Sequence, residues 1–120
     1  MGMTIAEKIL ARNAGLSEVK PGDMVMARID RTRVVDFKVD EYYNIFEELG
    51  IDKVWDPERI VMVIEHHVPP ATQFHADAHV TCRKFAKKYG IKLAEVGRHG
   101  ICHTYFVEKG FARPGELVAA

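Results

Sequence analysis

Ile60-Val61-Met62-Val63-Ile64-Glu65-His66-His67-Val68-Pro69-Pro70 is the stretch that decides the fold. Five consecutive apolar residues, four of them β-branched, suit a strand buried on both faces, which is the condition of a parallel sheet covered by helices. The strand runs straight into Glu65-His66-His67, and the two prolines forbid sheet or helix beyond it. Titratable side chains therefore fall in a loop at the carboxyl end of a strand, where α/β sheets place their chemistry.

Working outward, Ala71 to Tyr89 is the longest helical stretch, with Phe74, Ala78, Cys82, Phe85 and Tyr89 on one face. Arg83, Lys84, Lys87 and Lys88 near its carboxyl end complement the helix dipole, and Gly90 stops it. Ile91 to Val96 reads as a strand, Gly97 to Gly100 as a loop, Ile101 to Glu108 as a short helix or turn, and Glu116 to Ala119 as a fourth strand. Upstream, Thr4 and Glu7 form a capping box for a helix to Ala14, with Ile5, Ala6, Ile9 and Leu10 on its apolar face. Lys20-Pro21-Gly22-Asp23 is a turn, Met24 to Ile29 a short strand, and Arg28 to Arg33 a charged, solvated run. Val39 to Leu49 repeats Tyr42, Tyr43, Phe46 and Leu49 at helical spacing before Gly50, and Asp56-Pro57-Glu58 turns the chain into the central strand. Strands alternating with helices predict a three-layer α/β/α architecture with a mostly parallel sheet.

With 120 residues, 48% hydrophobic and 28% charged, the chain is expected to form one soluble α/β domain over residues 1–120. Seventeen basic and seventeen acidic residues cancel, so the electrostatic footprint of nucleic-acid binding is missing. The same neutrality is compatible with a homo-oligomer or a partner subunit. No stretch approaches the roughly 18 apolar residues of a membrane span, and Thr4, Glu7 and Lys8 interrupt the opening too soon for a signal peptide, so the reading is cytoplasmic. Cys82 and Cys102 lack Cys-x-x-Cys spacing and read as buried, reduced thiols.

The six histidines fall into three pairs. His75 and His79 lie one helical turn apart, but Ala76 stands where a zinc protease has its glutamate and Asp77 faces away, so no metal site is assigned and a zinc-hydrolase reading ranks last. Glu65 beside His66 can fix an imidazole tautomer for proton shuttling, although an adjacent acid and histidine is by itself nonspecific. His103, in Gly100-Ile101-Cys102-His103, reads either as a helix-start residue bonded to backbone or as a catalytic group.

Val96-Gly97-Arg98-His99-Gly100-Ile101-Cys102-His103, with Glu108-Lys109-Gly110 and Pro114-Gly115-Glu116-Leu117-Val118, resembles a catalytic segment of the aconitase superfamily. The nearest likeness is to the large subunits of 3-isopropylmalate dehydratase, homoaconitase and dimethylmalate dehydratase, and it extends to Thr4 to Leu10 and Pro21-Gly22-Asp23. The resemblance implies a hydro-lyase of a hydroxy di- or tricarboxylic acid, related to leucine biosynthesis, with a [4Fe-4S] cluster whose ligands lie outside this chain. It implies catalytic roles for His66, His103 and Glu65, the last replacing the family's aspartate. It places Asp36 at a substrate-binding position, but Val35 stands in place of the family's carboxylate-binding amide and Lys38 in place of its threonine, so either Arg33 or Lys38 binds that carboxylate by a charge-assisted bond or substrate choice differs from the well-known members. It also implies a catalytic serine from a small subunit or swivelling domain. The chain is thus expected to be the amino-terminal segment of a large subunit, inactive alone. The alternative is a non-catalytic domain that assembles with or regulates a dehydratase.

Overall fold

A computed structural model describes residues 2–120. Helix α1 spans Ile5–Ala14, strand β1 Arg31–Val35, α2 Val39–Glu48, β2 Ile60–Val63, α3 Gln73–Tyr89, β3 Lys92–Ala94, α4 Cys102–Glu108 and β4 Val118–Ala119. The four strands are all parallel, in the order β3-β2-β1-β4. Thr32 pairs with Ile60 and Val35 with Val63, Val63 pairs with Ala94, and Arg31 pairs with Val118.

Strand periodicity sorts the core into two layers. Ile60, Met62 and Ile64 face α2 and α3, packing with Val39, Ala78, Cys82, Phe85 and Tyr89. Val61 and Val63 face the other way, with Ala94, Cys102 and Phe106 of α4. The three-layer α/β/α expectation therefore holds. On the α2/α3 side, Phe46, Phe85 and Tyr89 lock together by edge-on contacts, with ring centroids 5.3 Å apart for Phe46–Phe85 and 5.2 Å for Phe46–Tyr89. Tyr89 also donates its hydroxyl to the Ile51 carbonyl at 3.0 Å, so a buried polar atom is satisfied where the helix meets the loop.

The helix starts follow their caps. Thr4 and Glu7 make the capping box reciprocally, and Gly15 closes α1 with a φ of 70°. Thr72 accepts from the His75 N–H to open α3, and Gly90, at φ 68°, ends it.

Three expectations need correction. The first strand is not Met24 to Ile29, where Met24 and Met26 project into solvent, but Arg31–Val35, which starts within the Arg28 to Arg33 run expected to be solvated. Its charges are satisfied by distant partners. Arg31 pairs with Glu116 at 2.9 Å, the neighbouring Asp30 accepts from the Leu117 N–H at 2.9 Å, and Arg33 donates to the Cys102 thiol. On α3, Phe74 is 66% exposed and the buried face carries His79 instead. On α1, Ile5 of the supposed apolar face is exposed and Ala11 is the buried residue.

Candidate active site

The parallel sheet brings the carboxyl ends of β1, β2 and β3 to one edge. Asp36 follows β1, Glu65 and His66 follow β2, and the loop after β3 delivers the start of α4 with Cys102 and His103.

Asp36 is the hub. It is 1% exposed, and its Oδ2 accepts the backbone N–H groups of Glu65 at 3.1 Å and His66 at 2.8 Å, so it shapes the turn out of β2. Its Oδ1 lies 2.6 Å from His66 Nδ1. A carboxylate only accepts, so Nδ1 carries the hydrogen and Nε2 is the atom of the neutral ring free to take a proton. Nε2 lies 3.4 Å from Glu65 Oε1, where a bound proton would face a second carboxylate. The His66 side chain is 36% exposed, and Phe37 meets it edge-on with centroids 4.8 Å apart.

Glu65 ties this group to α4. Its Oε2 accepts the Cys102 N–H at 2.9 Å, placing a carboxylate at the helix's amino end. Burial, the largest influence, pushes the Glu65 carboxyl up. Bonds from the Cys102 backbone and thiol, together with the imidazoles of His66 and His103, outweigh it and hold the group below its ordinary 4.5.

The residues singled out from sequence divide as follows. Glu65 and His66 come together, and His103 is exposed on the first turn of α4, close enough to Glu65 to lower its pKa. Asp36 turns its carboxylate to His66 and not to solvent, so it orients the histidine where substrate contact had been expected. Arg33 is 8% exposed and points to Cys102, one contact away from Glu65. Lys38 lies at the surface beside Phe37, 3.7 Å from Glu41. Val35 packs against the apolar cluster under α4.

His79 was missed as part of the site. Its Nε2 donates to the His66 carbonyl at 3.0 Å and lies 3.5 Å from Asp36 Oδ2, so α3 braces the turn from below. The available signal was the buried stripe His79, Cys82, Ala86 and Tyr89, which continues the helical period through a histidine.

The two cysteines do not fit a cluster site. Cys82 packs on the α2/α3 side of the sheet and Cys102 on the α4 side. Burial, with help from Asp36 and Asp40, pushes the Cys82 thiol up to about 12, and burial followed by Glu65 raises Cys102. The sheet lies between the two thiols, so they cannot share one cluster.

Fold and site together define a parallel α/β unit with a carboxylate–histidine–carboxylate group at its strand ends, a proton-handling arrangement. The chain is similar, over nearly all its length, to a part of the 3-isopropylmalate dehydratase large subunit. The protein of that name from Aquifex aeolicus is 45% identical over 118 residues, which is 98% of this chain and 27% of the relative. The one from Mycolicibacterium smegmatis is 43% identical over 120 residues, covering 99% and 27%. The large subunit 1 from Pyrococcus furiosus is 42% identical over 118 residues, covering 98% and 28%. The chain thus spans about a quarter of the length of the curated relatives it matches. No protein-family model matches it.

Proposed function

We propose that this chain is the α/β segment, at the amino-terminal end, of a hydro-lyase large subunit that dehydrates and rehydrates a 3-isopropylmalate-like hydroxy acid, and that it is inactive alone. The observation that carries the proposal is the Asp36–His66–Glu65 group at the carboxyl edge of a parallel sheet, in a chain similar throughout to 3-isopropylmalate dehydratase large subunits. In this reading Asp36 orients the His66 ring, His66 Nε2 delivers a proton to the departing hydroxyl so that it leaves as water and takes one from the adding water in the reverse direction, and Glu65 faces the imidazolium form. His103 is a second histidine at the same rim, and Lys38 and Arg33 remain the cationic candidates for a substrate carboxylate. An iron-sulfur cluster, implied by the family resemblance, would take its ligands from outside this chain, since the two buried thiols here lie on opposite sides of the sheet and cannot share a cluster. With this reading go a small-subunit partner, a place in leucine biosynthesis, a cytoplasmic location and residues 1–120 as one α/β unit of the larger protein.

Its test is turnover of 3-isopropylmalate by the complete large and small subunits carrying His66→Gln or His103→Gln. The proposal expects kcat to fall on the order of 10²–10⁴-fold for His66→Gln, the range of a lost general acid or base. Val35 favours a second reading, a non-catalytic domain that assembles with a dehydratase, since an apolar side chain packed under α4 cannot bind a carboxylate. That reading expects turnover to survive both substitutions.

A further inference from the structure

At the edge of the sheet opposite Asp36 and His66, the amino ends of β1 and β3 open into a cavity of about 390 Å³. Arg31, Lys92, Lys109 and Arg113 line it, and Glu58 is the carboxylate in its walls. The chain as a whole balances seventeen cations against seventeen anions, so four against one in a single cavity is a local excess that composition does not explain. Strand pairing accounts for half of it. Val61, on the α4 side, pairs with Arg33 on one flank and Lys92 on the other. Laterally paired residues share a face, so Lys92, Arg33 and, two residues earlier, Arg31 lie on that side too. Strand β2 runs between β1 and β3, which sets those two about 10 Å apart. Lys109 and Arg113 come from the carboxyl end of α4 and the loop after it.

Most of this charge is uncommitted. Arg31 gives its Nε to Glu116 at 2.9 Å, which leaves the two terminal nitrogens of its fork without a protein partner among the described residues. No acidic side chain pairs with Lys92, Lys109 or Arg113 among the described residues. Lys92 Nζ instead stands 4.5 Å from the centre of the Phe111 ring, which holds the ammonium in place and leaves its N–H groups to donate. The carboxyl ends of α3 and α4 also reach the cavity, through Gly90 and Lys109, and each carries roughly half a negative charge. Glu58 and the two helix ends together offset about two of the three unpaired cations, so a positive surplus remains.

The arrangement selects the occupant. Arg31 and Lys92 rise from the sheet, and Lys109 and Arg113 meet them from the layer that covers it. A carboxylate is planar and singly charged, whereas a phosphate group turns three oxygens and close to two charges toward donors on several sides. We propose that this cavity is a binding site for a small phosphate compound, held by Arg31, Lys92, Lys109 and Arg113. It lies about 16 Å from Asp36, the five residues of β1 away, and it does not depend on the hydro-lyase reading.

The experiment is isothermal titration calorimetry of the full 120-residue chain at pH 7 with inorganic pyrophosphate and with glycerol phosphate. Citrate, and sodium chloride at matched ionic strength, are the comparisons. Expected is saturable one-to-one binding of a phosphate compound at a concentration about tenfold below that needed with citrate. Tighter binding of glycerol phosphate assigns the site to a phosphate ester, and tighter binding of pyrophosphate assigns it to inorganic phosphates. Lys109→Gln and Arg113→Gln, both at exposed positions outside the apolar clusters, should each weaken binding about tenfold, the scale of one lost charge-assisted hydrogen bond. Glu58→Gln removes the carboxylate from the walls and should tighten it about twofold. Lys84→Gln takes the same charge from α3 outside the cavity and should change nothing. Heat reproduced by sodium chloride, an equal response to citrate, or a loss from Lys84→Gln as large as that from Lys109→Gln would overturn the site.

Discussion

At the residue scale, Asp36 does three things with one carboxylate: it shapes the turn after β2, fixes the His66 tautomer and lies beside His79. Asp36→Asn keeps the shape but can present an N–H to His66 Nδ1, so the hydrogen should move to Nε2. Imidazole ¹⁵N shifts of His66 should then exchange their protonated and unprotonated values, and an unchanged spectrum would contradict the assigned role. Glu65 makes a second prediction through pH. Its folded pKa is lowered from 4.5, so its contribution to stability is complete above that unfolded value and lost as pH falls through the lower folded one. Chemical denaturation should therefore show Glu65→Gln closer to the parent in acid than at pH 7. Glu65 and His66 were legible as residue types beside a strand end. The Asp36 role was not, because the contact joins positions thirty apart and only strand pairing brings them together.

At the scale of elements, the helices and the central strand were readable where local signals agree. The capping box of α1, the Val39, Tyr43 and Phe46 stripe of α2, which leaves Leu49 exposed, and the five apolar residues around β2 each carry one period and one boundary. Strand β1 failed to stand out because its charged residues find partners only in the finished fold, Arg31 with Glu116 and Arg33 with Cys102. Its β-branched Thr32, Val34 and Val35 were the overlooked signal. The cap of α3 offers a direct check: Thr72→Ala removes the acceptor for the His75 N–H and should cost about 1 kcal/mol in denaturant unfolding. It should also disturb His75 more than His79, which lies a turn deeper. Arg83 on α3 grips Glu95 after β3 through two bonds of 2.8 and 2.7 Å, which hold the Glu95 carboxyl near 2, down from its ordinary 4.5. The clasp should contribute above pH 4.5 and fade as pH falls toward about 2, and Glu95→Gln should flatten that part of the stability–pH curve. The pair is partly solvated, so the change should also shrink in high salt.

At the scale of the whole molecule, the chain is extended, 53 × 33 × 24 Å with a radius of gyration of 16.6 Å, where a compact domain of this length would have about 14 Å. A cavity of about 470 Å³, walled by Tyr42, Phe46, Val54, Trp55 and Phe85, opens beside β1 and β4. Apolar surface of this kind marks a site of interaction, and on the proposed reading the rest of the large subunit would cover it. Trp55, the single tryptophan of the chain and 58% exposed, should be quenched readily by acrylamide in the isolated chain. It should be shielded once the rest of the large subunit is present, and equal quenching in both would argue that this face stays open. The central claim is that Asp36 and His66 act as one catalytic unit, and the most direct test is a double-substitution cycle on kcat in the complete enzyme with Asp36→Asn and His66→Gln. The account predicts that each single change lowers kcat on the order of 10²–10⁴-fold and that the double change is no worse than the more damaging single one, as for residues working as a unit. A kcat untouched by His66→Gln, or two losses that simply multiply, would contradict it.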